Sequence, residues 1–420
     1  MEVLTVGEKI KRARVYKGLT LKNLCGKDLS VSKLSCIENG KVKPEEWILK
    51  TLSKKLGIDY LKLKKGIDEQ IVENITQIEK NINFDENNYI KKLMEYAELA
   101  HKNKFYFLGF DLTHKLFEFM IEKKNFCKVI DIFRLHYELS NKTSEHNMMV
   151  YYFDAATYFY KSGEYVQALN YYKSIKEQLK EKGLNNDKLI NQANYYELMC
   201  HFHLKNYNEA FELGKLLEEL NKKVDCKITK GQTAQILGVL AIRMDKSKCE
   251  KYIELTYECY DNDKCRKAEA SLDFAIEFIK TGQYEKGLEY IEMSVAEYDK
   301  TQKEKYAEFL IKTIEILIEF DMDKDSSTYI ETALDLAIQI DRERLIERAY
   351  YFKSKYLIRQ KNLYYAEMYL NLSLDFLKKF ANLKEIYFRY MEMGKFYYDM
   401  KNVNDSVKYF TLARNIKDKL

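Results

Sequence analysis

The sequence predicts an all-α protein: an N-terminal helix-turn-helix bundle followed by a right-handed superhelix of helix pairs. Three observations lead there. The 420 residues contain only one Pro and 15 Gly, too little turn punctuation for a sheet protein of this length. Apolar residues recur at helical spacing in almost every stretch. One segment pattern also returns about every 40 residues, the mark of a repeat array. The chain is 32% charged and 46% hydrophobic, an ordinary composition for a folded protein.

The head comes first. Residues 1–66 hold 16 basic and seven acidic residues, against 54 basic and 58 acidic in the remainder. A basic head on a mildly acidic body points to a polyanionic partner at the head. Val6, Ile10 and Ala13 fall at helical spacing before a stop at Lys17-Gly18. Thr20 caps a short helix carrying Leu21 and Leu24, and Gly26-Lys27-Asp28 makes a turn. Ser30 caps the next helix, with Leu34 and Ile37 inward, and Asn39-Gly40 ends it. Pro44 opens a fourth helix with Trp47, Leu49, Leu52 and Leu56 as its apolar positions. Two short helices joined by a tight turn describe a helix-turn-helix.

The segment LTLKNLCGKDLSVSKLSCIENGKVKP resembles the Xre/Cro-like DNA-binding domain, over about 60 residues without a gap. The resemblance implies a recognition helix at Ser30–Glu38 whose exposed face carries Val31, Ser32, Lys33 and Ser35. Lys33 is the leading base-edge or phosphate contact. Thr20, Lys22, Ser30, Lys41 and Lys43 are the further DNA-binding candidates, at helix starts and on basic loops. Two positions depart from the pattern: Leu21 stands where the family often has Gln, and Cys36 where it often has Arg. They bear on the strength and sequence preference of binding, not on the fold.

The body is helical and repetitive. KKNFCKVIDIF, KSGEYVQALNYY, LKNYNEAFELG, KTGQYEKGLEYI, QKNLYYAEMYL and MKNVNDSVKYF share a polar turn, an apolar or aromatic anchor, a small residue or Val, then an apolar pair. The anchors are Phe126, Tyr165, Tyr207, Tyr284, Leu363 and Val403. The two long gaps predict degenerate copies near Asp245 and Lys324, giving about eight helix pairs from Phe105 onward. This is the tetratricopeptide (TPR) pattern with a period nearer 40 than the usual 34 or so, which calls for longer helices. Residues 67–104 read as connecting helices, with Ile71, Ile75, Ile78 and Ile82 on one face. The expected division is therefore 1–66, 67–104 and 105–420.

Catalytic motifs are absent: no P-loop, GxGxxG or HExxH occurs. The expectation is a non-enzyme with no cofactor and no metal. Cys200-His201-Phe202-His203 is the nearest approach to a metal motif, but residues i and i+2 of a helix point apart. The eight cysteines form no CxxC pair. With no export signal in MEVLTVGEKIKRARVYKG and no long apolar run, they read as reduced thiols of a cytoplasmic protein with no membrane partner.

A TPR superhelix has a concave face suited to an extended peptide, which needs amide-bearing side chains and apolar pockets. First-helix positions expected there are Asp154 and Thr157; Gln192, Tyr195, Tyr196 and Met199; Gln232 and Gln235; and Asp273.

The order of a helix-turn-helix head and a long TPR body resembles the RRNPP family of peptide-responsive regulators, with PlcR-, NprR- and Rgg-like branches and the RstA type. That resemblance implies a homodimeric transcription regulator binding double-stranded DNA and a short signalling peptide. Its quorum-sensing role would be control of sporulation or virulence genes. The alternative is a TPR scaffold that binds or inhibits a protein such as a response regulator.

Overall fold

The computed structural model describes residues 2–26, 29–80, 85–123, 126–181, 187–222, 226–245, 247–322 and 326–418. Lys27, Asp28, Ile82 and Lys324 of the sequence-based expectations lie outside them. Among the described residues there are 23 helices and no strand. The architecture is all-α, of the TPR-like helix-pair class. No helix among these residues is long and apolar enough to cross a membrane. Contacts group the chain into two compact units, Met1–Asn206 and Tyr207–Leu420.

The first unit begins with α1 (Val6–Tyr16), α2 (Leu21–Cys25), α3 (Val31–Glu38), α4 (Glu46–Leu56) and α5 (Tyr60–Lys64). Thr5 starts α1 with a capping box: its side chain accepts from the Glu8 amide while the Glu8 carboxylate accepts from the Thr5 amide. These helices enclose a core of Ile10, Leu24, Cys25, Leu34, Ile37, Ile48, Leu49, Leu52, Leu56 and Leu63. In α4 it is Ile48, not Trp47, that turns inward; Trp47 stays 45% exposed.

Next come α6 (Ile67–Glu79) and α7 (Glu86–Lys102). Ile71 and Ile75 of α6 are buried in a second core with Leu93, Tyr96, Leu116 and Phe117. Gln70 ties the N-terminal segment to this connector. Its side-chain nitrogen donates to the Leu4 carbonyl at 2.9 Å and to the Gly66 carbonyl at 2.9 Å, and its oxygen accepts from the Leu4 amide at 3.3 Å.

The pairs follow: α8 (Tyr106–Glu122) with α9 (Phe126–Asn141), then α10 (Glu145–Lys161) with α11 (Tyr165–Glu181). Helix α12 (Asp187–His203) closes the first unit and α13 (Tyr207–Asn221) opens the second. Onward run α14 (Lys227–Arg243), α15 (Cys249–Cys259), α16 (Lys264–Lys280), α17 (Tyr284–Glu297), α18 (Lys303–Glu319) and α19 (Ser326–Ile340). The chain ends with α20 (Glu343–Arg359), α21 (Leu363–Phe380), α22 (Leu383–Asp399) and α23 (Val403–Lys417).

Each of the six anchors is the first residue of a second helix, and the two degenerate copies start at Cys249 and Ser326. Every first helix from α8 to α22 is 17 residues long, which accounts for the long period. The turns repeat as well. A residue with positive φ ends each first helix from α10 to α22: Gly163, Lys205, Asp245, Gly282, Asp321, Lys361 and Lys401. In most of these turns the next amide reaches back five residues, as from Glu164 to the Phe159 carbonyl at 2.8 Å and from Asn402 to the Tyr397 carbonyl at 2.9 Å. That is the Schellman closure of a helix end.

Candidate functional site

In the head, local caps and one long-range ion pair set the helix-turn-helix. Thr20 Oγ1 accepts from the Asn23 amide at 3.2 Å, and Ser30 Oγ accepts from the Lys33 amide at 3.1 Å. Lys55 on α4 donates to the Leu24 and Cys25 carbonyls at 3.1 and 3.2 Å, closing the end of α2. The far end of α3 is fixed by Glu38. Its carboxylate accepts from Arg14 Nε at 2.7 Å and from Arg14 Nη2 at 2.9 Å, and the same guanidinium donates to the Leu19 carbonyl at 2.9 Å. The guanidinium's hydrogen bond to the Glu38 carboxylate holds the Arg14 pKa above its ordinary value. Gly7 lets α1 lie directly on that end: a Cβ there would meet the Ile37 carbonyl oxygen at 2.2 Å.

The start of α3 is left open. Val31, Ser32, Lys22, Lys41 and Lys43 are exposed, and Ser35 is half-buried. Lys33 does not project freely. Its Nζ bonds Glu45 Oε1 at 2.8 Å and lies 5.8 Å from the centre of the Trp47 ring. That hydrogen bond, with a second from the Trp47 indole, draws the Glu45 pKa below the usual carboxylate range. Leu21 is half-buried against the head core, so its apolar side chain serves packing. Arg14, Glu38, Gly7 and Lys55 were not singled out as functional positions; their partners lie 24 to 31 residues away, beyond any local pattern.

The array positions divide between the two units. In the first, Asp154 is only 8% exposed. Its Oδ2 lies 2.7 Å from His114 Nδ1 on α8 and 2.9 Å from His136 Nε2 on α9. The bond to Asp154 raises the His114 pKa, whereas burial lowers that of His136. On α12, Tyr196 stacks on Tyr172 with ring centres 5.5 Å apart, and Tyr195 meets Tyr196 edge-on at 5.6 Å. Gln192 is exposed, and Thr157 and Met199 are half-buried. In the 200–203 segment, Cys200 is buried and its thiol pKa is pushed up to about 12, while His203 stacks on Tyr165 at 4.4 Å.

In the second unit, Gln235 Nε2 donates to Asp273 Oδ2 at 2.8 Å, and Lys312 Nζ lies 3.5 Å from Asp273 Oδ1. Gln232 is half-buried. The polar rungs continue beyond the expected set. Arg348 reaches Glu315 at 2.9 Å, Arg389 reaches Glu347 at 2.9 Å, and the Tyr351 hydroxyl donates to Glu392 at 2.8 Å. These residues, with Phe352 and Phe388, line a cavity of about 530 Å³. Sequence reasoning passed over it because an acid facing this cavity and one on an outer face have the same helical spacing.

No protein-family model matches the chain, and no curated protein sequence matches it. Solved structures are similar in fold at low identity. Bacillus thuringiensis PlcR in complex with the peptide PapR7 and DNA is 18% identical, covering 61% of this chain and 95% of that one, with a TM-score of 0.33. The apo form of the quorum sensor NprR from B. thuringiensis is 15% identical, covering 84% and 99%, with a TM-score of 0.42. A Rap protein complexed with Competence and Sporulation Factor is 12% identical, covering 84% and 98%, with a TM-score of 0.45. These neighbours are members of the RRNPP family that the head-plus-array order resembles.

Proposed function

We propose that the chain is a cytoplasmic, DNA-binding transcription regulator whose helix-pair array senses a short signalling peptide. Residues 1–66 would bind DNA, 67–104 would connect, and 105–420 would hold the peptide. The observation that carries this reading is the open N-terminal end of α3, with Val31, Ser32, Lys22, Lys41 and Lys43 exposed on a head of strong positive balance. In a helix-turn-helix that end reaches base edges, and surrounding basic groups grip phosphates. The exposed Lys33–Glu45 pair is worth little in water, so a phosphate can displace Glu45.

A dimer presents two such heads to two half-sites one helical turn apart. Peptide bound to one arrangement of the array shifts the population toward it and moves the heads into or out of register. Anisotropy of the purified protein with DNA from upstream of its own gene tests this. Preference over unrelated DNA, weakened about tenfold in Lys33→Ala, is expected for a lost base-edge contact of roughly 1–3 kcal/mol. Equal, weak affinity for both DNAs would sink it.

A second reading has its own support. Val31, Val42 and Trp47 are 44%, 40% and 45% exposed on the head. Exposed apolar side chains suit contact with a protein partner, such as a response regulator held by a TPR scaffold. Retrieval of one protein by the wild type, lost in Trp47→Ala but not in Lys33→Ala, would favour it.

A further inference from the structure

The peptide-sensing reading gives no role to the histidines of the first unit, yet two of them converge on one oxygen. His114, His136 and Asp154 come from three successive helices, α8, α9 and α10. Their ligand atoms all lie within 4.8 Å of one another. We propose that they form a binding site for one divalent transition-metal ion of the Zn²⁺ class.

The inner nitrogens, His114 Nδ1 and His136 Nε2, both face Asp154 Oδ2. The outer nitrogen of His136 has the kind of partner that a metal-bound imidazole uses, and that of His114 has a carboxylate nearby. His136 Nδ1 is 2.7 Å from Thr113 Oγ1, and that hydroxyl is also 2.9 Å from the Phe110 carbonyl. Thr113 can therefore donate to the carbonyl and accept from an Nδ1–H, leaving the Nε2 lone pair free for an ion. His114 Nε2 lies 3.6 Å from Glu118 Oε1, a carboxylate on the outer side of the second ring. Outer-shell acceptors of this kind fix the tautomer of a metal-binding histidine.

The surroundings suit an ion held by protein on one side and open on the other. The His136 side chain is fully buried and that of Asp154 is 11% exposed, whereas that of His114 is 32% exposed. Phe110 stacks on His136 at 4.8 Å, and Phe117 tilts against it at 5.0 Å. Entry, and a fourth ligand such as water, come from the His114 side. Two imidazoles and one carboxylate select first-row transition ions over Mg²⁺ or Ca²⁺.

Without an ion the same atoms form a hydrogen-bonded network. With Zn–N and Zn–O bonds of about 2.0–2.2 Å, tetrahedral geometry needs the ligand atoms about 3.3 Å apart, so loading must lengthen the two N···O separations by roughly 0.5 Å and draw the more widely spaced ligand atoms together. The half-exposed His114 can supply that movement. An ion so held would clamp three consecutive helices together.

The test uses the full chain freed of metal and titrated with Co²⁺. Expected is one ion per chain, with visible d–d absorption and no near-ultraviolet thiolate band. The thiolate band separates this site from the cysteines. His114→Ala and Asp154→Asn should each weaken binding at least tenfold, with the helical circular dichroism retained. Zn²⁺ should raise the thermal midpoint of the wild type but not of His114→Ala. No saturable Co²⁺ binding, a thiolate band, or unchanged binding in the two variants would each overturn the proposal.

Discussion

The head and the second unit each bury an arginine against a glutamate, but they use the pair differently. In the head, Arg14 and Glu38 side chains are 14% and 4% exposed and join α1 to the far end of α3. In the second unit, Arg389 and Glu347 are 11% and 6% exposed and join the first helices of neighbouring pairs, beside a cavity. The head pair holds α1 and α3 together at one point. The array pair is one rung of a series that includes Gln235–Asp273 and Arg348–Glu315. A locked head suits presentation of a rigid face; a laddered array suits adjustment between neighbouring pairs.

The largest expected effect comes from breaking either buried pair. Removing one partner strands a charge at a cost of about 3–5 kcal/mol. The single Trp, Trp47, lies in the head, so its fluorescence reports that region while far-ultraviolet circular dichroism reports the whole chain. Glu38→Ala should move the Trp47 urea transition to lower denaturant. Glu347→Ala should shift the circular dichroism transition and leave Trp47 in place. If either variant moved both signals equally, the contrast between a locked head and a separate ladder would be lost.

Glycine substitutions sharpen the same contrast at smaller scale. In Gly7→Ala the new Cβ meets backbone, the Ile37 and Glu38 carbonyl oxygens at 2.2 and 2.9 Å. In Gly238→Ala it meets the Phe274 ring at 2.8 Å, which can shift. Gly7→Ala should cost about 1–3 kcal/mol, and Gly238→Ala less. Equal losses in urea unfolding would contradict the rigid backing of α3.

Smaller still are the turn positions. Lys361 and Lys401 have φ of 59° and 62°, a region that suits glycine. Lys361→Gly and Lys401→Gly should each stabilise the array by up to about 1 kcal/mol. A rise in thermal midpoint with an unchanged Trp47 transition is the expected result. A fall in midpoint would show that these turns are held by something other than backbone preference.

The sequence spoke most clearly where short-range chemistry decides. Thr20 and Ser30 cap the helices expected of them, and all six repeat anchors begin helices. Polar turn and apolar anchor sit within a few residues of one another, so their spacing is visible in one dimension. Contacts across 18 to 42 residues were not visible. Nothing local marks Asp154 as the meeting point of His114 and His136, or Glu347 as the partner of Arg389. Lys33 shows the same limit: its position on α3 was legible, but its engagement by Glu45 and Trp47 depended on how α4 enters.

The most direct test of the regulator reading is the salt dependence of DNA binding. Affinity for upstream DNA should fall steeply and linearly in log–log form as salt rises, because each neutralised phosphate releases counterions. Lys41→Ala and Lys43→Ala should each reduce that slope by about one. A slope near zero in the wild type, or slopes unchanged in both variants, would contradict a head that grips DNA through these lysines.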